Sequence, residues 1–108
     1  MTHEEYLADQ RNRAVEVASR ILEGSIGLTE GIRNLLLFQK EMGRAKDPEF
    51  LFFAGIASET DDFPVGDARK NWNEIALKQK DADLKEYEDR IRPTVLDACR
   101  RFVQKYCA

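Results

Sequence analysis

Apolar positions recur at steps of three and four along most of this chain, the signature of helices that bury one face. Leu7, Ala14, Ala18, Ile21 and Leu22 trace the first such stripe. Thr2 and Glu5 stand at capping-box spacing ahead of it, and Gly24 supplies the left-handed residue that ends many helices. This predicts a first helix over about residues 3–23. A second stripe, Leu28, Ile32, Leu35, Leu36 and Met42, ends at Gly43. The link between them, Gly24 to Gly27, is short, and so short a link predicts an antiparallel helical hairpin.

Asp47-Pro48-Glu49 reads as a helix start, with an acid at the N-cap, proline at the first helical position and a second acid in the first turn. The segment that follows, Phe50 to Ala57, is apolar almost all round. A buried strand has the same periodicity, but the start signal and the lack of a partner strand favour a central buried helix. Gly55 within it is expected to admit a neighbouring helix closely. Residues 58–67 carry Pro64, Gly66 and a cluster of acids, which marks a loop. A short helical turn is expected around Asp67–Trp72, with Asn73 as the N-cap of the next element.

That element has the clearest pattern. Leu84, Tyr87, Ile91, Val95, Ala98, Phe102 and Tyr106 keep helical phase straight across Pro93. An interior proline removes one hydrogen bond and crowds the preceding turn, so one long, kinked helix is expected. The whole predicts an all-α fold: a single domain over 1–108, built as a small bundle of four to five helices with a long C-terminal helix.

Composition narrows the chemistry. The chain is 43% hydrophobic and 34% charged with a formal charge of −3, which suits a folded, charge-coated protein. Acids and bases are interspersed, so no basic stripe tracks a nucleic-acid backbone and no nucleic-acid partner is expected. No run approaches the roughly 20 apolar residues that span a bilayer, and the acidic N-terminal residues do not resemble a signal peptide. Cys99 and Cys107, if on one helix, stand about 12 Å apart, beyond disulfide reach. Two reduced thiols in a cytoplasmic protein are the expectation, with Cys99 in the core and Cys107 exposed.

Histidine-assisted nucleophilic catalysis has only His3 to draw on, so Ser19, Ser25 and Ser58 lack a base. Three Cys and His residues fall one short of a structural zinc site, and no glycine-rich phosphate loop occurs. No cofactor and no catalytic residue is assigned. What remains is the acidic loop: Glu59, Asp61, Asp62 and Asp67, flanked by Phe63 and Trp72. In one reading these acids cap helix ends and form Asx-turns, with Arg69 as partner to Asp67. In the other they form a recognition surface for a basic protein, acids steering the encounter and aromatics anchoring it. Trp72 also suits a lid on the core. A homodimer through the long C-terminal helix or the Phe-rich third helix is a further reading. An enzyme using the loop carboxylates, with or without a metal, is another.

Glu59-Thr60-Asp61, followed by Pro64, Gly66, Arg69 and Trp72, resembles a pattern in a family of short bacterial helical proteins to which no activity is attached; Glu30-Gly31 and Cys99-Arg100-Arg101 fit it as well. The resemblance implies a small bacterial helical protein and no mechanism. In size, acidity and lack of catalytic groups the chain is also similar in type to the immunity proteins that neutralise bacterial toxins. That similarity implies a non-enzymatic inhibitor of a basic toxin or nuclease.

Overall fold

The computed structural model describes residues 2–39, 41, 47–63 and 66–107, the side chains of 66 and 67 excepted. Within them lie four α-helices, α1 (His3–Glu23), α2 (Leu28–Leu36), α3 (Pro48–Glu59) and α4 (Glu74–Tyr106), with a 3-10 turn at Gly66–Asn71 between α3 and α4. The architecture is all-α. At 33 residues and 1.5 Å per residue, α4 is roughly 50 Å long, which is the long dimension of the 49 × 28 × 24 Å molecule.

The start signals act as the sequence predicts. Thr2 accepts the Glu5 N–H at 3.1 Å, Asp47 accepts that of Glu49 at 2.9 Å, and Asn73 accepts that of Ala76 at 2.7 Å. Gly24 closes α1 in the left-handed region, φ 76°. The exception is α2, whose N-cap Gly27 has no side chain to offer. Its cap comes from 59 residues away: the Glu88 carboxylate on α4 accepts the Thr29 N–H at 3.0 Å and the Thr29 hydroxyl at 2.8 Å. An acid at a helix N-terminus satisfies orphan donors and meets the positive end of the helix dipole.

α2 is shorter than its stripe suggests. It ends at Leu36, and the N–H groups of Leu37, Phe38 and Gln39 reach back three residues in tighter turns. In that turn Phe38 still packs against the core, while Leu37 is 72% exposed. Met42 and Gly43 lie outside the described residues.

The core gathers at the C-terminal half of α4. Phe102 is fully buried and meets Phe50 edge-on at 5.3 Å, Phe53 at 6.3 Å and Tyr106 at 4.8 Å between centroids. Ala14 and Ala18 of α1 and Ala98 of α4 are all fully buried, and α1 packs more extensively on α4 than any other helix does. Small side chains on packed helices let the two backbones approach closely. The close approach expected at Gly55 is absent: Gly55 is exposed, and a Cβ there would meet nothing within 4 Å. Gly31 is the glycine that packing requires. A Cβ on it would stand 2.5 Å from Ile21 Cγ1 and 2.7 Å from Cδ1, inside van der Waals contact with a side chain that is itself buried.

α3 and α4 run antiparallel, because their pairings descend in register: Asp47 with Lys105, Phe50 with Phe102, Glu59 with Tyr87. α4 is continuous across Pro93, which is exposed. Replacing Pro93 with Ala restores a bond to the Asp89 carbonyl and is expected to stabilise the protein by up to about 3 kcal/mol, less what the looser unfolded chain takes back. The urea midpoint measures it, and a clear fall would mean that proline starts a separate helix.

The cysteines occupy the two environments that the helical phase predicts. Cys99 is buried and Cys107 exposed; burial, against a small opposing effect of Arg100, pushes the Cys99 thiol up to about 11. A thiol reagent is expected to modify Cys107 at once and Cys99 only at the rate of unfolding. Equal rates under native conditions would contradict this placement.

Candidate functional site

The segment between α3 and α4 folds back on the first turns of α4, and Lys80 is its fastener. The Lys80 ammonium pairs with Asp62 at 2.9 Å and stands 5.3 Å from the Phe63 ring centre and 6.0 Å from that of Trp72. Its side chain is only 29% exposed, its stem covered by the rings while the head meets their electron-rich faces and the carboxylate. The hydrogen bond from Lys80 holds the Asp62 carboxyl below the usual aspartate range, against a weak opposing effect of desolvation. Arg69 adds a second tie, a two-pronged pair with Asp81 at 2.6 and 2.8 Å. From the other side Arg33 of α2 donates to the carbonyls of Thr60 and, at 3.3 Å, Phe63.

The six residues singled out from the sequence therefore divide. Glu59 is the last residue of α3 and accepts the Tyr87 hydroxyl; burial first, and that carboxylate second, push the Tyr87 phenol up to about 12. Asp62 and Phe63 share Lys80. Trp72 remains 36% exposed, more than a lid on the core would be. Asp61 is exposed and makes no side-chain hydrogen bond among the described residues. Asp67 lies in the 3-10 turn, its side chain outside those described.

The capping reading has Glu59 finish α3, where it stands, and Asp67 start the next turn, a residue whose side chain lies outside those described. The N-caps of the described helices are Thr2, Gly27, Asp47 and Asn73, none of them a loop acid. Among the described residues the partner of Arg69 is Asp81. Glu59 and Asp62 also tie the end of α3 and the loop to α4 through Tyr87 and Lys80, a long-range pairing that local turn chemistry does not reveal.

Two features escaped the sequence reading. The first is Ile75, 84% exposed at the start of α4, three residues after Trp72. The stripe Leu84, Ile91, Ala98 extends back to Leu77, so an apolar residue two positions away at 75 must face outward. That off-phase position was the available signal. Ile75, with Asn73, Glu74, Ala76 and Gln79, borders a shallow open hollow.

The second is a charged cluster at the opposite end of α4. Asp47 and Glu49 are both largely buried; Lys105 stands 2.8 Å from Asp47 and 3.3 Å from Glu49, Arg101 stands 3.0 Å from Glu49, and the Tyr106 hydroxyl donates to Asp47. Among the described residues no three Asp, Glu, Cys or His side chains are grouped as metal ligands would be. Burial alone would raise the Asp47 pKa, but the bonds from Lys105, Tyr106 and the Glu49 N–H outweigh it and bring it to about 2, against an ordinary 3.8. Between those values the unfolded chain binds the proton and the folded chain does not, so stability rises with pH. The contribution is complete above about pH 4, roughly 2 kcal/mol after allowing for the 46% exposure of the Lys105 side chain, and is lost as pH falls through about 2. Asp47→Asn is expected to unfold at lower urea than the parent at pH 7 and to converge with it towards pH 2. A difference independent of pH would show that the charge carries no stability.

Comparison with protein-family models, with curated proteins and with solved structures gives no match for this chain.

Proposed function

We propose that this chain is a non-enzymatic protein-binding module whose partner docks on the corner formed by Trp72 and Ile75, with Phe63, Asp61 and Asp62 at its margin. The observation that carries this reading is Ile75: a large apolar side chain 84% exposed in the first turn of α4, three residues after an indole that is 36% exposed. Binding energy concentrates in aromatic and aliphatic anchors that lose water completely on docking, and a preorganised anchor costs little entropy to place. Acids at the margin suit a basic partner, because rim charges raise the encounter rate. Of the loop acids Asp61 is the steering charge, since Asp62 is already paired and Glu59 is bonded to Tyr87. The most concrete form of this function is an inhibitor that covers the cationic substrate site of a toxin or nuclease. Its resemblance in type to immunity proteins supports that form.

A photo-reactive amino acid at position 75 tests the reading, with position 100 as control. Arg100 is exposed and lies about 37 Å further along the same helix. In the producing cell, an adduct with a basic protein is expected at 75 and not at 100. With that partner purified, Asp61→Lys is expected to slow association about tenfold and weaken its salt dependence, whereas Ile75→Ala speeds dissociation. Neither is expected to change stability by more than about 0.5 kcal/mol. Equal adducts at both positions, or binding indifferent to both substitutions, would remove this corner from consideration.

A further inference from the structure

A second surface lies along α3. α3 is apolar almost all round, yet only one of its sides reaches the core. Phe50, Phe53 and Ile56 are buried, whereas Leu51 is 57% exposed and Gly55 is open to solvent. A helix without a polar face belongs where both sides are covered. Between this outer face and α4 runs a groove of about 370 Å³, floored by Phe52, Ile56 and Ile91. Its two walls carry opposite charges at one level: Glu59 on α3 and Arg90 on α4, each touching the same tyrosine. Glu59 accepts the Tyr87 hydroxyl, and the Arg90 guanidinium lies 5.4 Å from the Tyr87 ring centre. Arg90 has no carboxylate partner among the described residues.

We propose that this groove is the interface of a homodimer, its occupant a second copy of the chain. The argument is one of self-complementarity. A symmetric dimer must present to itself a surface that is its own match. Take a two-fold axis lying along the groove. It carries α3 of one copy over α4 of the other and leaves every level along the groove unchanged. Glu59 then faces Arg90 of the second copy, Arg90 faces the second Glu59, and both exposed Leu51 side chains are covered opposite α4. The antiparallel run of α3 on α4 sets Glu59 and Arg90 at matching heights, so both ion pairs form together. A partner of one charge sign would meet a like charge on one wall. Gly55 adds room, since a side chain from above encounters no Cβ there and nothing lies within 4 Å of the place a Cβ would take. This groove shares no lining residue with the hollow at Ile75.

Sedimentation equilibrium across a concentration series reads the proposal directly, because the chain mass is 12.5 kDa and the dimer has twice that. The wild type is expected to approach the doubled mass as concentration rises. Leu51→Glu is expected to remain monomeric while keeping its helical signal, as the side chain is already largely in water. Glu59→Arg and Arg90→Glu are each expected to weaken association about tenfold by setting like charges against one another. Combining them is expected to restore it, since the exchanged charges again face opposite signs across the axis. The proposal is overturned by a wild type of single mass at every concentration, a dimer that survives Leu51→Glu, or a double reversal no better than the single ones. A dimer broken by Ile75→Glu instead would place the contact at the other corner and equally overturn it.

Discussion

The Asp47 carboxylate is the point from which the arrangement of the helices follows. It caps α3, accepts the Tyr106 hydroxyl and pairs with Lys105, so one buried group fixes where α3 begins and which turn of α4 it meets. With Glu49 and Arg101 one step away, the register of the two helices is pinned at that end. Everything further along inherits it. Phe50 and Phe53 fall on Phe102, and at the far end Glu59 arrives beside Tyr87. Burying an acid is costly, and its pairing rarely adds much beyond recovering that cost. A displaced register would leave the acid unpaired, and that penalty makes the arrangement specific.

From this anchor α4 divides into two unlike halves. Its buried residues, Val95 to Tyr106, all lie C-terminal to Pro93. The N-terminal half instead offers its side chains as fasteners: Lys80, Asp81, Tyr87 and Glu88 each hold a segment distant in sequence. One helix thus acts as core element and as outrigger, and the segments it carries are the α2 N-terminus, the end of α3 and the acidic loop. Proline at the boundary is tolerated because it is exposed on a helix already held on both sides.

This division places the two candidate surfaces on the outrigger half. Exposed apolar groups elsewhere are single, and a lone exposed leucine needs no explanation. Trp72 with Ile75, and Leu51 with the open side of α3, are apolar groups presented by elements whose backbones are fixed. Recognition uses such preorganised surfaces, and the two face different directions of charge: one margin acidic, the other carrying both signs.

The sequence by itself determined the helices and most of their ends, because helix formation is local: caps act over three residues and stripes over seven. Thr2, Gly24, Asp47, Pro48 and Asn73 placed both ends of α1 and the starts of α3 and α4. Phase alone put Cys99 in the core and Cys107 outside, and carried α4 through Pro93. Tertiary structure decided what depends on pairs remote in the chain. Glu88 caps a helix 59 residues away, Asp81 takes Arg69, and within the acidic cluster Asp62 is held by Lys80 and Glu59 by Tyr87. The role expected of Gly55 falls to Gly31 for the same reason: whether a glycine is needed depends on what approaches it, and Ile21 approaches Gly31 while solvent meets Gly55. A carboxylate carries no mark of which cation will find it; only the packing of α3 and α2 against α4 assigns the partners.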